Sequence, residues 1–526
     1  MNAATENELI KGLSQPQAFQ HAVGGIQIIE THISWVILTG NFAYKIKKAV
    51  DFGFLDFSTL EKRRFYCNEE LRLNRRFCED LYLDVVPITG TLLHPRVNGT
   101  GNAFEYAVKM RQFEMGSLLS ERAEKGLLTC EHIDGIAETI ASFHQTAEVA
   151  EAETIYGNPA VIKHWNQENF KQLASLLRDD LELGQLQRLR DWSLEAWPQK
   201  AATMRRRKQQ GFIRECHGDL HLGNIAIFSD KVTPFDCIEF NEELRWIDVI
   251  SEIAFVFMDL DLRRLDAFAW RFLNGYLQKT GDYQGLAVLR YYLVYRALVR
   301  AKVALLGRHA DSGPAEQQRV NTEYTAHLAL AERYTHPPQA ILLITHGFSG
   351  SGKSFHATQL AEEIGAVHLR SDIERKRLFG FEALDHTSSG VGSGIYTAEA
   401  GRKTYHQLAA MAEAVLSAGF SVIVDAAFLQ AEQRAMFHAL AAAQNTPISI
   451  LSFKASTTVL GNRIQRRQSQ QHDASEATIE ILQQQIASAI SLTEEESCRT
   501  ILIDTEQEDA HEKLLEALLT SSHYAL

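Results

Sequence analysis

The sequence predicts α+β and α/β architecture in series: a domain with a small sheet and a helical bulk, then a domain built on a parallel sheet. Three observations carry this. The chain's 526 residues exceed what one hydrophobic core ordinarily organises. Up to about residue 120, short strand-like runs mix with a helix; from about 130 to 332 the pattern is mainly helical, broken by a strand-and-loop patch at 212–240. After Pro337 and Pro338, the apolar runs ILLITHG, AVHLR, SVIVDA, ISILSF and TILID alternate with amphipathic stretches, as parallel strands covered on both faces do.

Taken in order, VILTGNFAYKIKK reads as an apolar strand, and Ser58 with Glu61 forms an S-x-x-E capping box that starts a helix after Asp56. Ile133, Ile136, Ile140, Phe143 and Ala147 recur at helical period and mark a buried stripe. Residues 314–332 read as a polar helix bridging two domains, ended by the two prolines. The expected boundaries are 1–310, a helical linker at 311–338, and 339–526. A net charge of −13 weighs against a nucleic-acid or anionic-membrane binder working by bulk charge. The amino terminus lacks a basic segment followed by an apolar core, and no apolar run is long enough to span a bilayer. Six scattered cysteines without a CxxC pair fit reduced thiols, and a cytoplasmic location is expected.

In the carboxy-terminal part, ILLITHG runs into FSGSGKS and then a helical pattern. Gly347, Gly350, Ser351 and Gly352 are small enough for backbone N–H groups to turn inward around a phosphate, and the helix that follows offers its positive end. Lys353 is expected to reach the β- and γ-phosphates, and the Ser354 hydroxyl to ligate Mg²⁺. Asp372 ends the second strand region and can orient an acceptor hydroxyl, with Arg375 beside it; an N-cap role is its plainer alternative. Asp425, at the end of SVIVDA, suits a carboxylate acting on Mg²⁺ or its waters. Arg463, Arg466 and Arg467 precede the polar segment 468–477, and arginines on such a lid can close over a γ-phosphate; a solvated helix face explains them almost as well.

In the amino-terminal part, CHGDLHLGN at 216–224 and PFDCIEF at 234–240 carry the chemistry. Phosphoryl transfer needs an Asp beside the acceptor hydroxyl, an Asn shortly after it for one Mg²⁺, and a second metal-binding Asp; Asp219, Asn224 and Asp236 supply that order. His217 would brace the loop. Lys45 is expected to hold the α- and β-phosphates, with Lys47 as its rival on the same side of the strand. Glu69, in an apolar row with Phe65, Leu73 and Phe77, is its expected partner, and Glu70 the alternative. Asp51, Phe52 and Gly53 spell a kinase metal-binding triplet, yet they precede the catalytic loop and read as a turn.

The carboxy-terminal motifs resemble the small P-loop kinases that include zeta toxins, gluconate kinases and polynucleotide kinases, over residues 341–505. That resemblance implies roles for Asp372 as base and Arg375 on the acceptor. The amino-terminal motifs resemble the aminoglycoside phosphotransferase family, a branch of the protein-kinase-like fold, over residues 25–305. Supporting residues are Ala43–Lys45, the helix ending at His144, and Trp246 to Asp248, where the family has an Asp supporting the catalytic loop, with Glu252 one turn on. One departure from the family is that no glycine-rich nucleotide loop precedes Lys45; the turn expected there is Thr31–Ser34. Together the resemblances imply a two-lobed protein-kinase-like domain fused to a P-loop kinase domain. They imply ATP and Mg²⁺ as cofactors and a small-molecule hydroxyl acceptor. The competing expectations are a nucleotide-binding regulator with one inactive domain, or a polynucleotide 5′-end kinase, which the acidic charge disfavours.

Overall fold

The computed structural model describes residues 3–53, 55–307, 313–385, 387, 394–470 and 475–520. Contacts divide the chain into two units: residues 1–263 with 291–332, and residues 264–290 with 333–526.

The first unit begins with a six-stranded antiparallel sheet of β1 (Gln27–Glu30), β2 (Ser34–Leu38), β3 (Phe42–Lys47), β4 (Tyr82–Gly90), β5 (Pro95–Val97) and β6 (Glu105–Arg111), in the order β1-β2-β3-β6-β4-β5. Side chains alternate across a strand, so Tyr44 and Ile46 of β3 join one core with Leu9, Leu13 and Ile37. Ala43 faces the other way and packs with Cys67 of the helix Leu60–Arg75. Lys45 and Lys47 share that second face by the same alternation. The helix is capped by Thr59, whose hydroxyl accepts from Lys62 N at 3.3 Å. The expected Ser58 cap is therefore displaced by one residue; the Ser58 hydroxyl donates to Asp56 instead. Asp51 forms the expected turn, accepting from Gly53 N at 2.9 Å.

The rest of this unit is mainly helical. The stripe on the helix Cys130–Thr146 is buried at Ile133, Ile136, Ile140 and Phe143. Two short pairs interrupt the helices: β7 (Ile213–Glu215) pairs with β10 (Trp246–Asp248), and β8 (Ile225–Phe228) forms a hairpin with β9 (Lys231–Pro234). The helix Pro314–Thr335 is less polar in effect than its composition, because Val320, Tyr324, His327, Leu328 and Ala331 are buried along one side. Tyr324 donates to Glu182 at 2.6 Å within the same unit.

The second unit is centred on β11 (Leu342–His346), β12 (Ala366–Arg370), β13 (Ser421–Asp425), β14 (Ile448–Lys454) and β15 (Thr500–Asp504), all parallel, in the order β12-β13-β11-β14-β15. These are the five runs expected from the sequence. Strand order reverses at β11, so the crevice for a ligand opens at its carboxyl end. The helix Asp266–Thr280 covers the outer edge at β12. There Asn274 donates to Ala366 O at 3.0 Å and accepts from His368 N at 2.8 Å, so a side-chain amide replaces a neighbouring strand. Among the described residues no helix is long and apolar enough to cross a membrane.

Candidate active sites

In the first unit, the segment between β7 and β8 holds the catalytic-loop candidates. His217 is fully buried, and its Nε2 donates to Phe235 O at 2.8 Å while its Nδ1 faces Asp219 N at 3.3 Å. The ring thus ties the loop to the segment carrying Asp236. Asn224 donates from Nδ2 to Asp219 O at 2.9 Å and to Asp219 Oδ2 at 3.1 Å. Burial alone would raise the Asp219 carboxyl, but His221, with Nε2 at 3.5 Å, and then Arg300 hold it well below the usual carboxylate range. Asp219 is therefore ionised at neutral pH.

The loop's support comes from Glu252 and not from Asp248. Glu252 accepts from His217 N at 2.6 Å and from Gly218 N at 2.9 Å. Arg296 donates to Gly218 O at 3.1 Å, and Asp259 accepts from Leu222 N at 2.9 Å. Asp248 instead forms a buried two-point pair with Arg207, at 2.7 and 2.8 Å. Glu252 stood one turn beyond the expected residue; Arg296 carried no sequence signal. His144, Cys216 and Glu252 place ligand-type atoms within 4.8 Å of one another. With both Glu252 oxygens committed to amides and the Cys216 thiol pushed up by burial, this cluster reads as a loop anchor rather than a metal centre.

Asp236 lies opposite, in a left-handed backbone conformation at φ 67°. Such strain in a non-glycine residue concentrates at functional positions. Its carboxylate pairs with Lys45, and Lys45 Nζ also stands 3.0 Å from Glu70 Oε1. Burial would depress the Lys45 ammonium, but Asp236 and then Glu70 keep it well above its usual value. The helix carboxylate is thus Glu70, fully buried, and the expected Glu69 is corrected. Glu69 sits a residue round the helix, toward solvent, and pairs with Arg72 at 2.9 Å. Lys47 reaches Glu70 Oε2 at 2.7 Å and also Glu239. The end of the same helix is tied to both segments: at its C-cap Arg76 donates to Glu215 O at 2.7 Å and Cys216 O at 3.2 Å, and Asn74 accepts from Cys237 N, beside Asp236, at 2.9 Å. The turn between β1 and β2 is closed by Thr31, whose hydroxyl accepts from Ser34 N at 2.9 Å.

In the second unit, Gly347, Gly350 and Gly352 all take positive φ between β11 and the helix Lys353–Ile364. A Cβ on Gly347 would lie 2.5 Å from Phe453 O, and one on Gly350 2.7 Å from Leu460 O, so larger residues are excluded. Ser351 Oγ is buried without a hydrogen-bond partner among the described residues, and Lys353 Nζ rests on the loop's own Phe348 O at 2.8 Å. Burial lowers the Lys353 ammonium to about 8, against the raising effects of Asp425 and Asp372. A phosphate group would relieve both: it offers acceptors to the hydroxyl and charge to the lysine. Asp425 is buried; burial would raise it, but His368 at 3.5 Å, Arg370 and the Ser354 hydroxyl bring it down to about 2. Ser354 and Asp425, both named as metal ligands, are therefore together.

A cavity of about 410 Å³ opens over this loop. Asp372, Arg375, Tyr396 and Arg467 line it; Arg375 stands 3.6 Å from Asp372 and 5.0 Å over the Tyr396 ring. Asp372 is the second residue of the helix Ser371–Leu378, with Arg370 at its N-cap. Arg463 also reaches the cavity, yet it is spent on Gly350 O at 3.3 Å and on Thr505 Oγ1 and O at 2.9 and 2.8 Å, so it holds the loop from beneath. Arg466 is exposed. The lid expected at 468–477 falls partly on 471–474, outside the described residues.

The family model described as Phosphotransferase enzyme family matches residues 119–291, and one described as AAA domain matches residues 342–491. Uncharacterized proteins of Mycobacterium tuberculosis and Mycobacterium bovis are 30% identical over 452 residues, covering 85% of this chain and 88% of theirs. Among solved structures, a sugar kinase from Janibacter is 24% identical, covering 35% of this chain and 94% of its own, at TM-score 0.25. A gluconokinase from Sinorhizobium meliloti is 20% identical over 36% of this chain and 100% of its own, at TM-score 0.25. An amicoumacin kinase is 10% identical over 64% of this chain and 96% of its own, at TM-score 0.40.

Proposed function

The chain belongs to the family of those mycobacterial proteins and is a phosphotransferase of two kinase-type regions; from that premise we propose that it carries two ATP sites, each passing a γ-phosphoryl group to a hydroxyl of a small molecule. The observation that carries this reading is the convergence of Lys45, Glu70, Asp219, Asn224 and Asp236 in one unit, beside an independent phosphate-type loop in the other.

At the first site, Asn224 and Asp236 would hold Mg²⁺, which would supply positive charge to the phosphates. The fit is chemical: both offer oxygen donors, and the Asn224 nitrogen is already turned toward Asp219. Lys45 is placed to grip the nucleotide phosphates while Glu70 steadies it. The acceptor hydroxyl lies against Asp219 Oδ. As its oxygen bonds to the γ-phosphorus, the bond to the β–γ bridging oxygen breaks, ADP departs, and the hydroxyl proton passes to Asp219. A carboxylate held at low pKa is a weak base, which suits a loose transition state in which the proton leaves late.

At the second site, the loop amides and Lys353 would cradle the β- and γ-phosphates, and Ser354 with Asp425 would hold Mg²⁺ or its waters. Asp372 is the base, with Arg375 on the acceptor and Arg467 on the migrating phosphoryl group. Two sites in one chain fit successive phosphorylations, or one site acting on the other's product. ATP consumption screened against sugars, antibiotics and nucleosides tests this. Asp219→Ala should abolish one phosphorylated product and Lys353→Ala another; if neither substitution alters any product, the two-site reading is wrong.

A further inference from the structure

Beside Lys45 lies a second buried lysine that phosphate gripping does not use. Asp236, Lys45, Glu70, Lys47 and Glu239 form a row of alternating charge: Glu70 shares one oxygen with each lysine, and each lysine has one further acid of its own. Lys47, Glu70 and Glu239 are at most 4% exposed. Lys47 Nζ also sits 4.9 Å over the buried Phe57 ring, so no solvent competes for it.

We infer that Lys47 and Glu239 are positioning residues for the first site, forming a fixed buried pair that reserves one oxygen of Glu70, and hence the orientation of Lys45, for the nucleotide. This rests on the reading of that site as a nucleotide site. The two lysines differ in what surrounds them. Lys45 pairs with Asp236, whose side chain is 40% exposed and can turn to a metal, so Lys45 can be released to phosphate. Lys47 pairs with Glu239, which is 3% exposed and lies in the segment following Asp236. Arg245 pins that segment by donating to Glu239 O at 3.2 Å. Glu239 is also near enough to Lys45 to act on its charge. Without Lys47, two buried carboxylates would compete for Lys45 and hold it away from phosphate.

The test uses the full chain carrying Lys353→Ala, so that only the first site is read, with calorimetry of a non-hydrolysable ATP analogue and Mg²⁺. Lys47→Met is expected to weaken binding roughly tenfold. Adding Glu239→Gln to it removes the competing acid and should recover most of that loss. A purely structural pair would lower the melting temperature and leave affinity unchanged, with no recovery in the double variant. If Lys47→Met does not fold, Glu239→Gln alone decides: Lys47 then leans wholly on Glu70, and binding weakens roughly threefold. Unchanged affinity in the single variants, or a double variant no better than Lys47→Met, overturns the inference while the nucleotide site stands. Absence of binding before any change at Lys47 or Glu239 overturns both.

Discussion

Both oxygens of Glu252 are occupied by backbone amides just before Asp219, so the charge of this one side chain fixes where Asp219 stands. Glu252→Gln keeps the shape but offers only one accepting oxygen. It should lower stability by about 1–3 kcal/mol, since a buried amide loses its acceptor, and slow turnover at the first site. Thermal melting and ATP turnover in a Lys353→Ala background would check this; loss of stability with unchanged turnover would reduce Glu252 to a scaffold residue. Lys353 makes a pH prediction. Its folded value of about 8 lies below the ordinary lysine value, so between the two the unfolded chain binds the extra proton. Stability of the ligand-free protein should therefore rise as pH increases through about 8 toward the ordinary value. Phosphate beside Lys353 raises its affinity for a proton, so nucleotide binding near pH 8.5 should take up protons. Calorimetry in buffers of different ionisation enthalpy reads that uptake, and Lys353→Ala should abolish it.

At the scale of elements, the helix Leu60–Arg75 shows how a one-residue step decides a role. Successive residues turn by about 100°, so Glu70 faces β3 while Glu69 faces Arg72 and solvent. Its start moves by one residue too. Thr59→Ala should cost about 1 kcal/mol in denaturant unfolding, and Ser58→Ala less, because only Thr59 caps the first turn. The edge of the parallel sheet is a second case. Asn274→Ala strips partners from Ala366 O and His368 N, and should lower the melting temperature of the P-loop unit by an amount matching about 1–3 kcal/mol. Asn274→Asp, which keeps the acceptor alone, should fall between.

At the scale of the whole molecule, the contact units are not colinear with the chain. Residues 264–290 fall inside the stretch matched by the phosphotransferase family, yet they belong to the unit of the parallel sheet. Tyr283 donates to Glu374 at 3.1 Å, on the helix that bears Asp372 and Arg375, and Arg290 donates to Gly419 O at 3.0 Å. A fragment of residues 339–526 lacks this cover and exposes an unpaired strand edge. It should aggregate or melt well below a fragment that joins residues 264–290 to 333–526 through a flexible linker, as circular dichroism and light scattering would show.

The five parallel strands, the P-loop, the clustering of Asp219, Asn224 and Asp236 near one lysine and the turn at Asp51 were legible because each rests on local order: period two, small residues in sequence, fixed offsets between polar groups. Glu70 over Glu69, Glu252 over Asp248, the service of Arg463 beneath the loop, and the edge-capping role of Asn274 were not. Each depends on which way a side chain points once its element is docked, and on partners tens to hundreds of residues away. The chain by itself determined that a kinase-like motif and a P-loop motif exist and in what folds they sit. Only the tertiary structure decided which charges meet, because a buried carboxylate is settled by the cation packed against it and not by its neighbours in sequence.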